Sequence, residues 1–228
     1  MRDNRETPWT DETIREQIRE LQRQATKDTL SGLLNRATVE QSIKKRLQAM
    51  GPEDSCALFI VDLDHFKQVN DTLGHRAGDQ AIRQAAQILS GIFRAKEVVG
   101  RLGGDEFVAF LCGQLTEELV REKAAEICGK LSLALGDQKA VNLTASVGVY
   151  LARRGQEFEG LYQAADLALY KAKKAGRHRF VVKNSRDGQE EGGASCSLSA
   201  PSPSAGCWRT WAAASPCWRW APRCGSSM

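Results

Sequence analysis

Two clusters of acids stand where this chain could do chemistry. Asp62 and Asp64 leave the apolar run Cys56 to Val61, and Asp105 and Glu106 follow the paired glycines Gly103 and Gly104. Paired glycines give a turn without side-chain bulk, so another molecule can approach the backbone closely. Carboxylates beside such a turn suit the holding of a phosphate and its metal. Mg2+ takes carboxylate oxygens in near-octahedral geometry, and Asp62 at a strand end and Asp105 in an adjacent hairpin can converge on one ion. Lys173 and Arg177 stand four apart, a spacing that puts both on one helical face, where they can point at one anion. Each piece also has an ordinary reading. The acids can be a solvated hairpin turn, and a basic helix end complements its own dipole. His65, His75 and His178 show no ligand spacing and read as packing or surface residues.

The elements that must position these residues follow from hydrophobic period. Ile14, Ile18, Leu21 and Ala25 mark a helix from Thr10 to about Lys27, with Thr10 as its cap. Their spacing is a coiled-coil seam about two heptads long, which fits either a dimerising helix pair or a helix packed on its own domain. Gly32 and Asn35 mark a turn, and a helix follows from about Ala37 to Ala49. Cys56 to Val61 reads as a strand buried on both faces. A helix runs from Gly78 to Phe93, with Asp79 at its start. Val98-Val99 and Val108 to Leu111 flank the Gly-Gly turn as a hairpin. Thr116 to Leu135 reads as a helix, and Val141 to Tyr150 alternates as one strand with one face buried. Phe158 to Ala175 is helical, and Phe180 to Val182 is a last strand. This order predicts an α+β fold with helices over a mainly antiparallel sheet.

The motifs then combine. Asp62-Leu63-Asp64-His65-Phe66-Lys67-Gln68-Val69-Asn70-Asp71, Gly74-His75 with Gly78-Asp79, and Gly103-Gly104-Asp105-Glu106-Phe107 resemble the GGDEF domain of bacterial diguanylate cyclases. Asp28-x-Leu30-Ser31-Gly32-Leu33-x-Asn35-Arg36 is similar to that family's opening motif, with Ser where Thr is usual. Tyr170 to Arg177 resembles its closing helix. The resemblance covers about Asp28 to Val182 and implies a palm-like sheet akin to that of nucleotide cyclases. It implies Mg2+, or Mn2+, on Asp62 and Asp105 with the Leu63 carbonyl as a third ligand. Glu106 would help hold the metal or activate the hydroxyl. Lys67, Lys173 and Arg177 would meet phosphates, Asn70 and Asp79 would read guanine, and Gly103 and Gly104 would line the nucleotide. Asn70 and Asp79 also read as turn and cap residues. Family members often carry an inhibitory R-x-x-D site before the Gly-Gly turn; the matching positions are Arg94 and Glu97, with Glu in place of Asp. The expected reaction joins two GTP into cyclic di-GMP with release of two pyrophosphates, in a homodimer. The rivals are a degenerate domain that only binds GTP or cyclic di-GMP, and an enzyme of the same fold that uses another nucleotide.

Bulk properties agree with an ordinary globular chain. It has 228 residues, 42% hydrophobic and 26% charged, with a net charge of +4. That charge does not point to nucleic acid, and no run of about 18 apolar residues points to a membrane. The N-terminus lacks an apolar signal core, so a cytoplasmic protein is expected, with any upstream sensor outside this chain. The expected divisions are residues 1–27 as a dimerising linker, 28–184 as the catalytic domain, and 185–228 as a disordered tail. That tail holds four of the six prolines and four of the five tryptophans. Of seven cysteines, Cys56, Cys112 and Cys128 read as reduced core residues, and the other four lie in the tail.

Overall fold

A computed structural model of the chain describes residues 11–136 and 141–185, without the side chains of residues 11, 13, 20, 23 and 24. The Thr10 cap and the expectations for the tail beyond Ser185 lie outside the described residues. Helix α1 (Asp11–Thr26) leads to α2 (Arg36–Gln48), strand β1 (Ser55–Leu63), α3 (Phe66–Leu73) and α4 (His75–Ile92). Hairpin β2 (Val98–Gly103) and β3 (Glu106–Gly113) follows, then α5 (Glu117–Lys130), β4 (Leu133–Leu135), β5 (Val141–Leu143), β6 (Ala145–Arg153), α6 (Phe158–Lys174) and β7 (Phe180–Asn184). The main sheet has five strands in the order β2-β3-β1-β6-β7, and β4 pairs with β5 alone. Only β6 and β7 run parallel within that sheet. The α+β, mainly antiparallel fold expected from the sequence is the one observed.

Strand period sorts the core into two layers. Ala57, Phe59, Val61 and Leu63 of β1 pack with α4 and α5. Cys56, Leu58 and Ile60 face the other way, toward α2 and α6. Asp62 therefore belongs to the α2/α6 side. β6 is buried on both sides from Ala145 to Val149, not on one as its alternation suggested. Gly148 explains the approach of α6: a Cβ there would run into the backbone of Ala165 and Leu169. Only glycine lets the helix lie this close.

Several boundaries differ from the sequence reading. α3 was not expected, and α4 begins at His75 rather than Gly78. Gly74, at φ 84°, closes α3 by donating its N–H to the Asn70 carbonyl at 2.9 Å and starts α4 at once. Gly78 is inside α4 because a side chain there would strike the Asn70 amide and Phe66 of α3. The expected helix 116–135 ends at Lys130, since Leu133 and Leu135 suit a strand as well as a helix and pair with β5. The expected single strand 141–150 breaks at Thr144, where β5 leaves β4 and β6 joins the main sheet.

Candidate active site

The site forms where β1 and the β2–β3 hairpin end together. Asp62 stands directly opposite Glu106 across the strands, and both Glu106 and Asp62 face α6. Leu63, 1% exposed, donates its N–H to the Asp105 carbonyl at 3.3 Å. The turn between β2 and β3 is the pair Gly104 and Asp105, with Gly103 before it at φ 144° and Gly104 at φ 54°. Both values favour glycine.

Arg101 holds that turn. Its Nε and one terminal nitrogen donate to the Gly104 carbonyl at 3.0 and 2.7 Å. Its other terminal nitrogen meets Asp28 Oδ1 at 2.9 Å. Asp28 also accepts from Ser31 N at 2.8 Å and Ser31 Oγ at 2.7 Å. Partial burial pushes the Asp28 carboxyl up, but the Ser31 and Arg101 bonds outweigh this and hold it below the usual carboxylate range. The segment just after α1 is thus tied to the glycine turn through one guanidinium. Asp28 stands in the opening motif with no sign of this role, because opposite charges 73 positions apart carry no local signal.

Lys173 closes the site from α6. It lies one turn beyond Leu169, on the helix face that packs the sheet, and its Nζ meets Asp62 Oδ2 at 2.7 Å. Arg177 does not share that face. α6 ends at Lys174, Gly176 turns left-handed at φ 113°, and Arg177 sits in the loop beyond at φ 59°. The expected helical pairing of Lys173 with Arg177 is corrected accordingly. Lys67 is exposed in the first turn of α3. Asn70 packs against Gly78, next to Asp79. Asp79 lies in the second turn of α4, so it is not a helix cap.

Electrostatics mark this place out. Burial pushes the Asp62 carboxyl up to about 6, with Lys173 opposing the rise and Asp105 and Glu106 adding to it. Burial likewise pushes Asp105 up. Glu106 is pushed up by burial and by the charge of Asp105. Like charges crowded out of water call for a cation, and here Lys173 supplies one to Asp62. Among the described residues no three or more His, Cys, Asp or Glu side chains form a closed metal cage. Mg2+ ordinarily takes one or two carboxylates and keeps its other positions for waters and substrate phosphates, which an open pair such as Asp62 and Asp105 provides. The donor set fits the ion.

Arg94 and Glu97 are at the opposite end of β2, roughly 17 Å away along the strand. They line a cleft of about 620 Å³ with Arg46, Lys96, Cys112 and Lys123. Glu97 Oε2 accepts from Arg94 N at 2.6 Å, and Glu97 N donates to the Arg94 carbonyl at 2.8 Å.

Comparison with known proteins bears on this arrangement. The family described as diguanylate cyclase, GGDEF domain, matches residues 25–179.

The chain belongs to the GGDEF family.

Among curated GGDEF proteins it is 37% identical over 171 residues to the probable diguanylate cyclase DgcC of Escherichia coli K12, covering 74% of this chain and 46% of that one. It is 33% identical over 170 residues to the diguanylate cyclase DgcS of Shewanella oneidensis, covering 73% of this chain and 55% of that one. The chain thus spans about half the length of these relatives. Among solved structures it resembles the coiled coil and GGDEF domain of DgcB from Caulobacter crescentus, in complex with c-di-GMP. The TM-score is 0.70 at 29% identity, covering 75% of this chain and 93% of that one. No helix among the described residues is long and apolar enough to cross a membrane.

Proposed function

We propose that this GGDEF domain is a working diguanylate cyclase. Two GTP give cyclic di-GMP and two pyrophosphates, each 3′-hydroxyl attacking the α-phosphate of the other nucleotide. The observation that carries the reading is the intact acid cluster: Asp62 opposite Glu106, Asp105 in the glycine turn, and Lys173 on Asp62. A domain that had lost catalysis would have no need to keep like charges crowded and buried.

Asp62 and Asp105, with the Leu63 carbonyl, would hold Mg2+ or Mn2+. Such an ion, when bound, supplies the positive charge that phosphoryl transfer requires. Glu106 would help hold the metal or accept the hydroxyl proton, since a neighbouring cation would favour its ionised form. Lys173, Lys67 and Arg177 would take phosphate oxygens. Asp79 would accept from the N1–H and 2-amino group of guanine, donors that adenine lacks, with Asn70 beside it. Gly103 and Gly104, both exposed, leave room for the nucleotide over the turn.

One domain holds one GTP, so two domains must face each other. The α1 seam supports a homodimer: Ile14, Ile18 and Leu21 are 42%, 48% and 65% exposed on the single chain. Pairing of two such helices would cover them. Residues 1–27 then act as the dimerising linker and 28–184 as the catalytic domain, responding to a sensor partner. The solved diguanylate cyclase SiaD is in complex with its activator SiaC. The test is to incubate the purified chain with GTP and Mg2+ and resolve the products by chromatography. Cyclic di-GMP is expected. GTP binding without turnover would mean a regulatory module, and turnover of ATP would mean a different nucleotide enzyme.

A further inference from the structure

Asp64 has no part in the reading above. It is 2% exposed. Its Oδ1 accepts from Ser146 Oγ at 2.7 Å, and its Oδ2 from Thr144 Oγ1 at 2.8 Å and from His178 N at 3.0 Å. The two hydroxyls lie at the start of β6. The third bond crosses to the loop after α6, the loop that carries Arg177.

That loop has an unusual backbone. Arg177 and His178 both adopt left-handed conformations, φ 59° and 46°. Residues with a Cβ avoid this region, and two in succession persist only where the surroundings hold them. The holding bonds can be named. Arg177 N donates to the Ala172 carbonyl at 3.2 Å, and Val147 N donates to the Arg179 carbonyl at 2.9 Å. The His178 ring meets the Cys128 carbonyl at 3.3 Å. Asp64 adds a buried carboxylate on His178 N, a charge-assisted bond stronger than its neutral neighbours.

We infer that Asp64 is a positioning residue for Arg177. Its carboxylate ties the left-handed Arg177–His178 turn to the strand that carries Asp62 and Leu63, and so sets where the Arg177 guanidinium meets a nucleotide phosphate. The inference rests on the reading of Arg177 as a phosphate ligand. The competing explanation is a purely structural one, in which Asp64 stabilises the β1–β6 end and nothing more.

A double-mutant cycle separates the two. The affinity of the full chain for a non-hydrolysable GTP analogue with Mg2+ is measured by calorimetry, alongside the unfolding temperature. The proteins are the unmodified chain, Asp64→Asn, Arg177→Ala and the double variant. Asp64→Asn keeps the shape but puts an amide among groups that donate. Each single change is expected to weaken binding about tenfold, and the double variant to bind no more weakly than Arg177→Ala alone. Effects that multiply in the double variant would overturn the inference. So would an Asp64→Asn protein that melts lower but binds as tightly as the unmodified chain. Unchanged affinity in Arg177→Ala would overturn the phosphate role itself and the inference with it. If Asp64→Asn does not fold, Thr144→Val takes its place in the cycle. It removes the other Oδ2 donor and leaves the charge. The same outcomes then apply, and unchanged affinity of Thr144→Val overturns the inference.

Discussion

The β2–β3 hairpin carries charged residues at both ends, and the two ends handle charge in opposite ways. At the glycine turn, Asp105 and Glu106 join Asp62 in a partly buried cluster where burial pushes all three up and Asp105 makes both Asp62 and Glu106 harder to ionise. At the other end, Glu97 folds back onto Arg94 N and satisfies its own loop in the open. The first end needs a cation from outside the carboxylates. The second needs nothing. Buried acids crowded beyond what Lys173 alone balances, rather than charge as such, set the first end apart.

The most severe way to break the contrast is to remove the demand. Asp62→Ala and Asp105→Ala should each cost cyclase activity about a thousandfold or more, since several kcal/mol of charge stabilisation would go with the metal. Circular dichroism should show the fold intact. Near-normal turnover in either folded variant would refute the assignment.

Gly148→Ala should be next in size. The added methyl meets helix backbone rather than a flexible side chain, so α6 must lift. Overpacking of this kind costs about 1–3 kcal/mol, and activity should fall as well because Lys173 rides on α6. An unfolding midpoint equal to that of the unmodified chain would show that the sheet and α6 have slack between them.

Arg101→Ala should destabilise by about 1–3 kcal/mol, as it strands the Gly104 carbonyl and the Asp28 carboxylate together. Its partner supplies a pH test. The folded-state pKa of Asp28 lies below its ordinary 3.8, so its ionised form contributes stability above that value, and the contribution fades as pH falls through the lowered value. The stability gap between the unmodified chain and Asp28→Asn should therefore be widest near neutrality and narrow in strong acid. A gap that does not change with pH would remove Asp28 from the clamp.

The smallest effect belongs to the far end. Glu97 is engaged by its own loop, and its extra methylene displaces the carboxylate relative to Asp, so product inhibition at Arg94 and Glu97 should be weak. Glu97→Asp should strengthen it by up to about tenfold. Cyclic di-GMP titrated into the cyclase assay decides the matter. Inhibition of the unmodified chain at or below about a micromolar would contradict the proposal.

How much of this was legible beforehand depended on range. Asp62, Gly103, Gly104 and Asp105 announce themselves because local patterns, a strand end and a glycine turn, carry them. The α+β fold follows from hydrophobic period in the same way. What escaped the sequence is carried by contacts far apart in the chain. Arg101 and Asp28, or Asp64 and His178, are joined only when the strands pair. Gly78 reads as the start of a helix and Gly148 as one more residue of an alternating strand. In the structure each marks a place where two elements touch backbone to side chain or backbone to backbone. Thr116 to Leu135 misled for another reason: Leu131, Leu133 and Leu135 satisfy a strand period at the end of a helical one, and only the pairing of β4 with β5 decides between them.

Uptake of a divalent cation by the acid end underlies the catalytic reading of the hairpin. Mn2+ binding to the full chain, followed by electron paramagnetic resonance with the GTP analogue present, measures this without relying on turnover. The unmodified chain should hold Mn2+ tightly. Asp62→Ala and Asp105→Ala should leave it largely free, while Glu97→Ala should bind it as the unmodified chain does. Equal Mn2+ uptake in the Asp62 and Asp105 variants, or none in the unmodified chain, would contradict the central claim.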